Sequence, residues 1–176
     1  MKRTLFSGLV IASALGLASA ASAATIWNGN TGTDANWFNA NNWNPTGVPS
    51  STAVSINTGS SEASPVLINS AETGGGTATI TALTLGNGAS DSGYLSIGNG
   101  GSLTNTSTST WTIGNNGAGG LTIGSGAAVT QDRVIALGAG STGNGTLTMT
   151  GGTYTAGGST CTFTVGQNGT GTVNQS

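Results

Sequence analysis

Side chains able to carry a proton, a metal or a nucleophile are scarce in this sequence and lie far apart. The acids are Asp34, Glu62, Glu72, Asp91 and Asp132, the bases are Lys2, Arg3 and Arg133, Cys161 stands alone, and histidine is absent. Without histidine, triads built on Ser-His or Cys-His are excluded, as are His-containing zinc sites. Cys161 has no base to activate it. Glycoside hydrolysis needs two carboxylates facing one bond, and these acids are scattered through loop-like stretches. Elimination on an acidic polysaccharide would need a cationic base beside acids clustered to hold calcium. Only Arg133 and its neighbour Asp132 come near that description. No catalytic residue, metal site or cofactor is expected, and the chain reads as a non-enzyme. The alternative is a fragment of a polysaccharide-acting β-helix enzyme whose site lies in sequence outside this chain.

Two other features could bind a ligand. Trp27, Trp37 and Trp43 stand among Asn28, Asn30, Asn36, Asn39, Asn41 and Asn42. Indole faces stack on sugar rings and amides bond hydroxyls, so the three tryptophans are candidate glycan contacts if exposed. If buried, they form a cap. Gly-x-Gly strings such as Gly98-Asn99-Gly100-Gly101 resemble phosphate loops, but they lack the following helix and lysine that such loops use. The recurring aspartate of the calcium-binding glycine nonapeptide is missing as well.

The glycines belong instead to a repeat. Gly93-Tyr94-Leu95-Ser96-Ile97, Gly119-Gly120-Leu121-Thr122-Ile123, Gly145-Thr146-Leu147-Thr148-Met149 and Gly171-Thr172-Val173-Asn174-Gln175 follow one another at intervals of 26 residues. A second apolar stretch precedes each: Leu83-Thr84-Leu85, Trp111-Thr112-Ile113, Val134-Ile135-Ala136-Leu137 and Phe163-Thr164-Val165, with spacing that varies through 28, 24 and 28. A third beat falls at Leu103, Val129 and, one place early, Tyr154. Apolar residues alternate with Thr or Ser, the period-2 pattern of a strand with one buried face. One such unit cannot bury its apolar row alone, whereas stacked units can. Stacking predicts two structural ladders, Leu95, Leu121, Leu147 and Val173 in one, and Ile97, Ile123 and Met149 in the other. The expected fold is therefore all-β, a β-solenoid (β-helix) of about 26-residue repeats behind a Trp-rich N-terminal cap. An antiparallel sandwich gives no reason for the fixed beat, and glycine does not recur every third residue as collagen requires.

Composition sets the compartment and limits the partners. Lys2 and Arg3, an apolar run over residues 5–17 and the small-residue sites Ala18-Ser19-Ala20 and Ala21-Ser22-Ala23 form a secretory signal peptide. The apolar run is shorter than the roughly 20 residues that span a bilayer. Cleavage after Ala23 leaves a soluble chain with Arg133 as its one base against five acids. A single cation cannot neutralise a row of phosphates, so nucleic acid is excluded as a partner, and docking to an anionic membrane is disfavoured. A lone cysteine in an oxidising compartment makes no internal disulfide; Cys161 is read as a small core residue beside Phe163, with an intermolecular bridge as the alternative.

The domains expected are a signal peptide (residues 1–23), a Trp/Asn-rich cap (24–60), a connecting segment (61–79) and Gly-rich solenoid repeats (80–176) that break off mid-pattern. The unit Ile-Gly-x-x-Gly-x-Gly-x-Leu-Thr-Ile-x-x-Gly-x-x-Val-Thr of residues 113–130 resembles a repeat of bacterial exported proteins. It is shared by autotransporter passengers and PEP-CTERM-sorted surface proteins. The opening Trp27…Asn36-Trp37…Asn42-Trp43…Gly47-Val48-Pro49 is similar to the segment that often precedes it. The resemblance implies a structural or adhesin-like stalk at the bacterial cell surface, outside the outer membrane, with this chain as an N-terminal fragment. Membrane attachment would then come only through missing C-terminal sequence. Surface glycans or extracellular matrix are the expected partners, together with self-association at the open end of the solenoid.

Overall fold

The computed structural model describes residues 23–29, 34–71, 76–158 and 160–176. The signal-peptide reading, save for Ala23, and the positions of Asn30 and Glu72 lie outside them. The described residues form an all-β solenoid. Its strands are β1 (Thr25–Trp27), β2 (Trp43–Asn44), β3 (Thr52–Ile56), β4 (Val66–Ile68), β5 (Thr77–Leu85), β6 (Ser92–Ile97), β7 (Ser102–Asn105), β8 (Trp111–Ile113), β9 (Ala118–Ile123), β10 (Ala128–Gln131), β11 (Val134–Leu137), β12 (Asn144–Met149), β13 (Thr153–Ala156), β14 (Thr162–Val165) and β15 (Thr170–Gln175). Among the described residues no helix is long and apolar enough to cross a membrane.

The strands stack into three parallel faces. On the first face the order is β3, the C-terminal part of β5, β8, β11 and β14. The second carries β4, β6, β9, β12 and β15. The third carries the N-terminal part of β5, then β7, β10 and β13. The chain visits the faces in that order, turn after turn, and each turn advances the stack by about 4.8 Å. β5 bends from the third face onto the first without a break in the strand, pairing Ala78 with Leu103 and then Leu83 with Trp111.

Register follows the apolar alternation. Leu95, Leu121, Leu147 and Val173 are Cα partners in successive strands, and so are Ile97, Ile123, Met149 and Gln175. Both columns reach back to Val66 and Ile68 of β4. A one-residue slip would turn every one of these side chains to solvent. On the third face Leu103 meets Val129, and Val129 meets Tyr154, so the early beat at Tyr154 keeps its place because the preceding turn is one residue shorter. The variable spacing of the first face resolves likewise into Leu85, Ile113, Leu137 and Val165 in one column.

The glycine motif builds the corner between the first and second faces. Gly114 has φ +70°, and Gly86, Gly138 and Gly166 repeat that left-handed turn between 62° and 68°. Five residues on from Gly114, a Cβ at Gly119 would run into the Gly114 nitrogen and lie 2.7 Å from the Leu85 carbonyl. The two glycines are a pair: one makes the turn, the other lets successive turns approach.

The corner between the third and first faces uses amides. Asn105 and Gln131 occupy inward positions and are 2% and 0% exposed. Asn105 Oδ1 accepts from the Ser107 amide at 3.0 Å. Gln131 Oε1 accepts from the Arg133 amide at 2.5 Å, and its Nε2 donates to the Val134 carbonyl at 2.9 Å. Each buried amide thus satisfies the backbone of the turn beside it.

Candidate functional site

The tryptophan segment comes first, because the sequence offered it either as a platform or as a cap. Its strand β1 pairs in parallel with β3, and β2 folds back antiparallel on β1 through Trp27 and Trp43. Nearby, the Trp37 amide donates to the Leu67 carbonyl at 3.0 Å, and the Leu67 amide donates to the Ala35 carbonyl at 2.8 Å, which ties the segment to β4. Trp27, Trp37 and Trp43 are each 0% exposed. Trp43 sits edge-to-face with Trp27 at 4.9 Å and with Trp37 at 4.7 Å between ring centroids. Its Nε1 donates to the Trp37 carbonyl at 2.7 Å. Of the two readings, burial is the one observed: the indoles cover one another and the end of the solenoid. The reason is area, since large rings gain most by leaving water where the first turn would otherwise expose its core.

Asn36, Asn39 and Asn42 of the same segment are occupied with their own loop. Asn36 Oδ1 accepts from the Phe38 amide at 2.8 Å, and Asn39 Oδ1 accepts from the Asn41 amide at 3.0 Å. Asn42 donates through Nδ2 to the carbonyls of Asp34 and Asn36. Asp34 accepts from the Asn39 side chain and from the Asn36 amide. These donors, the Asn39 amide first, hold the Asp34 carboxyl below its ordinary value of 3.8 against a smaller opposing effect of burial.

The remaining ionisable groups do not converge. Asp91 accepts from the Gly88 amide at 2.7 Å within a turn. Arg133 donates through Nη1 to Thr160 at 2.8 Å. Cys161 is half-buried and free, and its sulfur lies 3.2 Å from the Gly158 nitrogen. Burial pushes the Tyr154 hydroxyl up to about 12, with a smaller push from neighbouring Cys161. Tyr154 packs edge-to-face on Phe163 at 6.1 Å. Among the described residues no three His, Cys, Asp or Glu side chains gather where a metal ion could sit.

The ladder residues are buried in the middle of the stack: Leu95, Leu121 and Leu147 are 1–2% exposed, and Ile97 and Ile123 are fully covered. Met149 is partly buried, and Val173 lies on the last strand. Trp111, the fourth tryptophan, is buried inside the solenoid between Leu83 and Ile135.

Outside the core, a groove of 140 Å³ opens on the second face, lined by Glu62, Tyr94, Gly120, Thr122, Asn144 and Thr146 among others. Sequence reasoning did not single it out. The signal was present in Gly120, which stands where the other turns carry Tyr94, Thr146 and Thr172. Comparison of the chain with protein-family models, with curated proteins and with solved structures finds no match.

Proposed function

We propose that this chain is an exported, adhesin-like structural module without catalysis of its own. It would be a surface stalk of the kind found in autotransporter passengers and PEP-CTERM-sorted proteins. The observation that supports this reading best is the continuity of the ladder from Val66 to Val173 through β4, β6, β9, β12 and β15. Every turn is held to its neighbours by a full row of backbone hydrogen bonds and an apolar interior, while Thr, Ser and Asn face outward. Such a stack transmits load along its length and can be extended turn by turn. The scatter of Asp34, Asp91 and Asp132, each placed at a different turn, agrees with a scaffold better than with a reaction centre.

Export is the testable part. Expressed in a bacterial host, the protein should lose residues 1–23, begin at Ala24, and be digested on intact cells or recovered outside them. A product that keeps Met1 and stays protected inside the cell would sink the reading. The adhesin-like part is tested by attachment: cells carrying the gene should lose surface binding when it is deleted and regain it on complementation.

A further inference from the structure

The groove on the second face is built by an interruption in an outward column. Tyr94, Gly120 and Thr146 are Cα partners on β6, β9 and β12. A Cβ at Gly120 would lie 2.5 Å from Tyr94 Cδ1 and 2.8 Å from Cε1, so the phenol ring lies across the glycine. The absent side chain has two consequences. The Cδ1–Cε1 edge of the ring covers the place of the missing side chain, and a gap lies beside it that Thr146 bounds on the far side. Glu62, from the turn before β4, and Asn144, at the start of β12, border the same gap.

The polar groups around it are uncommitted. No side-chain hydrogen bond among the described residues engages Glu62, Thr122, Asn144, Thr146 or the Tyr94 hydroxyl. Elsewhere on the surface comparable amides are used internally, as where Asn115 Nδ2 donates to Asn87 Oδ1 at 2.8 Å. The groove therefore combines an aromatic surface with a carboxylate, an amide and hydroxyls, each with unused capacity. Its 140 Å³ falls short of the roughly 300–1,000 Å³ of small-molecule pockets. It suits one ring lying on the sheet. The nearest charge is the Glu62 carboxylate, and Arg133 is engaged with Thr160 at another corner. An anionic ligand would find repulsion and no counter-charge.

We propose that this groove binds one neutral pyranose unit of a glycan. The C–H face of the sugar rests against Tyr94, and its hydroxyls bond Glu62, Asn144 and Thr146. The site is separate from the buried tryptophans and holds whether or not the chain is an exported stalk.

The test is affinity electrophoresis of the purified full chain in gels containing hydroxyethylcellulose, galactomannan or polygalacturonate. Retardation by at least one neutral polymer is expected, with none by polygalacturonate. Tyr94→Ala should weaken the interaction about tenfold, and Thr146→Val should weaken it several-fold with an unchanged circular dichroism spectrum. Should Tyr94→Ala not fold, tyrosine ring resonances of the wild-type chain, titrated with cellohexaose or a mannohexaose, report the same contact. Competition by a methyl glycoside would assign a terminal sugar; competition only by a hexasaccharide would assign an internal unit of a chain. No retardation by either neutral polymer, retardation by polygalacturonate alone, or binding undiminished in both variants would overturn the proposal.

Discussion

At the β1 end of the stack, Trp27, Trp37 and Trp43 lie at 0% exposure and β2 turns back antiparallel along β1. At the β15 end, Phe163, Val165 and Val173 are 43%, 47% and 45% exposed, although they stand in the same columns as Ile135, Leu137 and Leu147. The residue types differ little between the last turn and the one before it. What differs is the number of neighbours. In a solenoid, burial comes from the turn above and the turn below, so a valine in the ladder is core only when both are present. At the first turn, β1 and the stretch around Asn36 pair with β3 and β4 in place of a further repeat, and the aromatic area of the three tryptophans covers that end.

The largest test of this contrast is one chemical change made at two heights of one column. Leu121→Asp places a carboxylate where Leu95 and Leu147 pack on both sides, and should cost about 4 kcal/mol or more in urea unfolding, or abolish the strand spectrum. Val173→Asp, half exposed, should fall within about 0.5 kcal/mol of wild type. Equal losses would mean that the interior does not depend on stacked neighbours.

Removing the seal is next. Trp43→Ala deletes contacts to both other indoles and the bond to the Trp37 carbonyl, and should cost about 3–5 kcal/mol. Hydrogen exchange should show β1 and β3 opening first. Phe163→Ala at the other end should cost about 1 kcal/mol, that of a side chain only partly removed from water.

The corners separate two roles of glycine. Gly119→Ala forces the Leu85 and Gly114 backbones apart and should cost about 1–3 kcal/mol by thermal unfolding. Gly98→Ala meets nothing within 4 Å and has no left-handed φ, so it should leave stability unchanged or raise it by about 0.5 kcal/mol.

The smallest effects are in pH. Asp34, whose folded pKa is depressed, stabilises the cap above its ordinary 3.8, and that contribution is lost as pH falls through the lower folded value. Tyr154, whose folded pKa is raised to about 12, favours the fold up to about pH 10, its ordinary value, and that contribution is lost as pH climbs toward 12. Acid should therefore loosen the β1 end first and alkali the last turns, read by hydrogen exchange after brief pH pulses. Near-ultraviolet absorbance should show the Tyr154 phenol ionising only near 12.

Several features were legible in one dimension because they depend on spacing alone. The alternation of Leu, Ile and Val with Thr dictates a strand with one inward face, and the 26-residue interval of Gly93, Gly119, Gly145 and Gly171 dictates that like residues meet in parallel register. The variable interval of the other faces was legible too, as a change of loop length. The first turn was harder to see, because β3 and β4 carry no glycine motif and join the stack at a spacing of 29. The groove was harder still. Gly120 reads as one glycine among 32 until Tyr94 is placed on the adjacent strand, 26 residues away.

By itself, then, the sequence determined strand period, repeat length and the residues that face inward, since these follow from alternation and recurrence along the chain. Only the tertiary structure decided that the three N-terminal tryptophans cover one another. It also decided that Asn105 and Gln131 are spent on the turns, and that a groove opens beside an aromatic ring where one side chain is missing. Each of these depends on which strands lie side by side, and contacts between neighbouring turns are properties of the stack that no single repeat contains.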